Sequence, residues 1–177
     1  MVAAQETQDP GIGMNEEQIR SLVRQLDTRD ATAQDIIWTQ LRPLGEKVVD
    51  YLAEFYPQAR TLEGRRALIF HAIKYARSSE VAFRLGVHAL GDKASIVRYR
   101  ACGLLAYSLR REALPHLQAL LSHKDRKTVE DAQAAMDAIQ SKNHHYFVDR
   151  NHSGRLFWQV GDQEAEAAPP GNPADPP

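Results

Sequence analysis

Apolar residues recur at helical spacing through most of this chain, in runs separated by short polar breaks. Ile19, Leu22, Val23 and Leu26 share one face of a helix that Asn15 is placed to cap, with Gln18 positioned to reach back to it. Asp27-Thr28-Arg29-Asp30 breaks that run, and Asp30 opens a second one carrying Ala33, Ile37, Leu41 and Leu44. Val48, Val49, Leu52, Phe55 and Tyr56 form the next stripe, which Pro57 ends. Thr61 or Glu63 then starts a partner helix whose Ala67, Leu68, Phe70, His71, Ile73 and Tyr75 predict extensive burial. Two further pairs follow, Glu80–Leu90 with Val97–Ala106, and Ala113–Leu121 with Val129–Ile139.

The pattern changes at residues 144–161. His145-Tyr146-Phe147-Val148 and Leu156-Phe157-Trp158-Gln159-Val160 are rich in strand formers, and Asp149–Gly154 between them has turn composition. A short β-hairpin over 142–162 is the expectation, packed as a cap on the last helix pair through Phe157 or Trp158. Residues 1–14 and the Pro-, Ala- and acid-rich residues 163–177 hold too little apolar surface to bury and are expected to be disordered.

The pairs repeat one another. Leu22, Leu26 and Asp30 match Leu117, Leu121 and Asp125, and Ala67 and Phe70 match Ala101 and Leu104. The period is 31–34 residues, which implies stacked helical hairpins burying their apolar faces against neighbours over residues 15–141. A Leu-rich helix, an Asp break and then Val97-Arg98, Ala101 and Leu104 resembles HEAT-type repeats, as does the Leu44-Gly45-Glu46-Lys47-Val48 junction. The resemblance is strongest in the third pair; the first lacks Val-Arg, and the fourth has Val129-Glu130. It implies an all-α solenoid of about four HEAT-like hairpins that works mainly as a binding surface, with bilin-lyase-type enzymes among the families built on similar repeats.

Composition narrows the function classes. A chain of 177 residues with a formal charge of −1 has no overall basic footprint for nucleic acid. The single Cys102 excludes an internal disulfide and fits a reducing compartment, and neither a signal peptide nor an apolar run of spanning length occurs in the sequence. A cytoplasmic protein without cofactor or metal is expected. The charged residues nevertheless cluster. Arg60, Arg65, Arg66, Lys74 and Arg77 fall in one second-of-pair helix region, and Arg98, Arg100, Arg110 and Arg111 in the next. In HEAT-like solenoids the second helices line the concave face. Arg65, Arg66, Arg98, Tyr99, Arg100 and Tyr107 are therefore the candidate binding residues for a protein partner, an acidic one by charge. The competing assignment is that these arginines are solvated or brace neighbouring repeats through Asp and Glu.

Other chemistry is thin. Asp149-x-Asn151-x-Ser153-Gly154 matches the first half of a calcium loop, but Val160 stands where a bidentate Glu is needed. His144, His145 and His152 lack a strand-compatible metal geometry. No His-Glu dipeptide of the HEAT-type hydroxylases, no phosphate loop and no nucleophile elbow is present. His71 and His88 are expected as hydrogen-bonded core residues and Cys102 as a small buried thiol. The reading is a scaffold or adaptor with no catalytic residues; an immunity or inhibitor protein with an acidic or nuclease-like partner, and a bilin-lyase-like subunit, are the alternatives.

Overall fold

A computed structural model describes residues 13–161. The expectations for residues 1–12, for residue 162 of the cap and for the tail at 163–177 lie outside the described residues. Of the expected N-terminal tail, Met14 is described, and it packs against the core.

Among the described residues the fold is all-helical, with no strand. The α-helices are α1 (Glu16–Gln25), α2 (Ala31–Leu41), α3 (Val48–Phe55), α4 (Leu62–Ala72), α5 (Glu80–Ala89), α6 (Ser95–Ser108), α7 (Leu114–Ala119) and α8 (Arg126–Gln140). Local chemistry starts most of them. Asn15 and Gln18 form a reciprocal capping box on α1, and Asp30, Thr61, Ser79 and Asp125 accept from backbone N–H groups at the starts of α2, α4, α5 and α8. No described helix is long and apolar enough to cross a membrane.

The helices pack in sequence-adjacent pairs, α1 on α2, α3 on α4, α5 on α6 and α7 on α8. Odd helices also meet along one row (α1 on α3, α3 on α5) and even helices along another (α4 on α6, α6 on α8). α6 is the central element, touching α4, α5 and α8. Every residue from Ala101 to Ser108 is buried, so the C-terminal half of this helix is enclosed on all sides rather than along one stripe.

A polar ladder ties each pair to the next at the loops preceding the even helices. Asp27 accepts from the backbone N–H groups of Arg60 and Thr61, each at 2.8 Å, and from the Thr61 hydroxyl. Arg65 on α4 donates to Asp92 at 2.8 Å, and Tyr56 donates to the same carboxylate at 2.7 Å. Arg98 on α6 donates to Asp125 at 2.8 Å and to the Thr128 hydroxyl at 2.9 Å. Gln34, Arg65 and Arg98 each stand four residues past their helix N-cap and also bond back to loop carbonyls of their own pair. Gly64 lets the first rung close: a Cβ there would collide with Asp27. In the fourth pair the corresponding place is Val129, and that pair supplies only acceptors. Burial pushes the Asp92 carboxyl up, but the hydrogen bonds from Arg65, Ala94 N–H and Tyr56 outweigh it and hold the group below the usual carboxylate range.

The hairpin expected over 144–161 is absent. His144–Phe147 is a 3-10 turn, and 148–161 runs as irregular chain back across the even-helix row. The aromatic residues that read as strand formers serve instead as contacts to helices. Phe147 is buried, and it lies 5.3 Å from Tyr99 of α6 and 5.4 Å from Trp158, ring centre to ring centre. Trp158 is partly buried over Gly103, where an added Cβ would lie 3.0 Å from Phe147 and 3.3 Å from Trp158. The 144–147 turn packs on α8 of the fourth pair and also on α6, where Phe147 and Trp158 meet Tyr99 and Gly103, so the cap spans the third and fourth pairs, while Phe157 is 58% exposed.

Candidate functional site

The row α4–α6 carries the six residues singled out by their charge and position, and the structure separates them into two groups. Arg65 and Arg98 are only 8% and 6% exposed, and their guanidinium groups are occupied by Asp92 and Asp125 in the ladder. Tyr107 is 6% exposed, with the Arg77 guanidinium 4.1 Å from its ring centre and His144 edge-on at 5.2 Å. Tyr99 is half-buried beside Phe147. Arg66 and Arg100 are left on the α4–α6 seam, and neither has a carboxylate partner among the described residues.

Arg100 is held unusually. Its guanidinium carbon lies 5.0 Å from the Phe70 ring centre and 5.7 Å from that of Tyr99. Its Nε–H is buried without a hydrogen-bond acceptor among the described residues. Burial lowers its pKa, and the neighbouring Arg66 cation adds to that. Phe70, expected in the core, is 50% exposed.

Beside Phe70 lies a cleft of about 210 Å³ lined by Trp38 and Arg42 from the α2 end, Phe70, His71, Ile73 and Lys74 from the α4 end, and residues 158–161. The Trp38 and His71 rings stack at 3.7 Å and 11°, forming one wall. Burial, with Lys74 adding to it, pushes His71 down to about 3, so its ring is neutral at ordinary pH. His71 makes no hydrogen bond among the described residues, and His88 is exposed with Tyr56 edge-on at 5.4 Å; neither is the hydrogen-bonded core histidine the pattern suggested. Arg42 and Lys74, like Arg66 and Arg100, have no carboxylate partner among the described residues.

The wall formed by 158–161 is fixed by two histidines. The Trp158 N–H donates to His145 Nδ1 at 3.0 Å, and His144 Nε2 bonds the Trp158 carbonyl at 3.0 Å. Arg77 donates to His144 Nδ1 at 3.1 Å, which places the His144 proton on Nε2.

The remaining sequence candidates have structural explanations. Asp149 is buried, and its carboxylate accepts from Ser153 N–H, the Ser153 hydroxyl and Gly154 N–H, closing the turn on itself. His152 bonds Asp137 and stacks on Tyr146 at 3.7 Å. Among the described residues no group of three or more His, Cys, Asp or Glu side chains is placed to hold a metal ion. Cys102 is buried in α6, which pushes its thiol up to about 12.

Sequence reasoning missed Trp38, Arg42 and the 158–161 wall. Trp38 follows Ile36 and Ile37 in α2 but falls outside the face shared by Ala33, Ile37 and Leu41, and that was the available signal. No protein-family model matches the chain, and no curated protein matches it.

Proposed function

We propose that this chain is a HEAT-like α-solenoid of four helix pairs that works as a non-catalytic protein-binding scaffold or adaptor in the cytoplasm, with the α4–α6 row as its concave binding face. The stacking of odd on odd and even on even helices supports the repeat reading, as does the Asp–Arg ladder repeated between pairs. The binding reading rests on one observation: Arg66 and Arg100 flank exposed Phe70 without carboxylate partners among the described residues, while Arg65 and Arg98 on the same helices are paired. Such a surface suits an acidic protein, whether a regulated partner or the target of an inhibitor.

The test is affinity capture with the wild-type chain and with an Arg66→Glu/Arg100→Glu variant shown to be equally folded. The proposal expects a protein retained by the wild type and lost by the variant. Equal retention by both would place binding elsewhere.

A further inference from the structure

The cleft and its rim describe a particular kind of partner. We infer that the site takes a short acidic peptide segment bearing one large apolar side chain, the side chain entering the slot between the Trp38–His71 stack, Phe70 and Trp158. This rests on the α4–α6 face being the binding surface and deepens that reading by giving the partner's chemistry.

Three observations carry it. The slot is lined by aromatic rings and its one imidazole is neutral, so its floor favours an uncharged apolar group. Its volume of about 210 Å³ is ample for one large side chain. The surroundings are cationic: Arg42 and Lys74 line the slot, and Arg100 packs on the slot-lining Phe70 with Arg66 beside it. None of these four has a carboxylate partner among the described residues, in a chain whose formal charge is −1. An apolar anchor supplies affinity in a desolvated pocket, and carboxylates around it meet the cations and set orientation. Single-stranded nucleic acid is the rival anion, but one narrow slot flanked by four cations lacks the extended stacking track such strands use.

The probe is a fluorescein-labelled hexapeptide of five acidic residues and one central leucine, titrated into the full chain by fluorescence anisotropy. Two controls replace the leucine with serine or all acids with lysine. Saturable binding is expected, weakened about 10-fold or more by the serine replacement and abolished by the lysine replacement. Phe70→Ser and Lys74→Glu, both at accessible positions, should each weaken binding about 10-fold, with Arg100→Glu acting in the same direction. Rising salt should weaken the acidic peptide. No binding at 1 mM (about −4 kcal/mol), equal binding of the serine or lysine peptide, indifference to Phe70→Ser and Lys74→Glu, or tighter binding of an oligothymidylate would each overturn the inference. A captured protein lost on Arg66→Glu/Arg100→Glu, together with no peptide binding, would leave the scaffold reading intact and remove this one alone.

Discussion

Replacing Asp92 with alanine probes the ladder at its most loaded point. Its carboxylate accepts from Arg65 Nε at 2.8 Å, from the Tyr56 hydroxyl at 2.7 Å and from Ala94 N–H at 2.9 Å at the start of α6. The ion pair is well shielded, with 9% and 5% of the Arg65 and Asp92 side chains exposed. Removing one member of such a pair strands the other charge, and about 3–5 kcal/mol is the expected cost. For a chain of this length that is a fall in Tm of about 6–20 °C. Replacing Arg65 with methionine at the same time removes the stranded charge, so Arg65→Met/Asp92→Ala should be less destabilised than the sum of the single changes by about 2 kcal/mol or more. Urea unfolding followed by far-ultraviolet circular dichroism on the four proteins of the cycle gives the coupling directly. A cost below about 1 kcal/mol for Asp92→Ala, or full additivity, would refute the view that the ladder holds neighbouring pairs together.

The other expectations concern the core, the wall and pH. Leu104→Ala empties a fully buried α6 position and should cost about 2–5 kcal/mol in the same unfolding assay. Gly103→Ala should crowd Phe147 and Trp158, costing about 1–3 kcal/mol and shifting the tryptophan emission to the red as Trp158 loosens. His71 has a folded-state pKa pushed down to about 3, so the unfolded chain binds its proton first, and stability falls as pH drops below the unfolded value of about 6.5. His71→Phe should flatten the stability profile between pH 6.5 and 4 by up to about 1.4 kcal/mol per pH unit, and an unchanged difference between the two proteins across that range would contradict the neutral stacked ring. Asp92, held low by its partners, adds its loss only under more acid conditions, as the pH falls below about 4 towards its folded value.

Helix starts were legible because their chemistry is local: Asn15, Asp30 and Thr61 cap the helices their positions implied. Core positions such as Leu104 and Val97 followed from spacing, and both are fully buried. The arginines were harder. Arg65 and Arg66 are adjacent and chemically alike, and only the approach of the Asp92 loop makes one a brace and leaves the other at the surface. The same limit explains the misread C-terminal segment. Tyr146, Phe147 and Trp158 have high strand propensity because they pack well on half-buried surfaces, and here helices and neighbouring aromatic rings supply those contacts. Phe70 was placed in the core by the apolar run around it, yet it faces the cleft.

The central claim, that the α4–α6 row is the partner-binding face, is tested most directly by amide hydrogen exchange on the full chain with and without its captured partner. The account predicts added protection confined to α4, α6, the α2 end around Trp38 and residues 158–161. Protection on the odd helices α1, α3 and α5, with α4 and α6 unchanged, would contradict it.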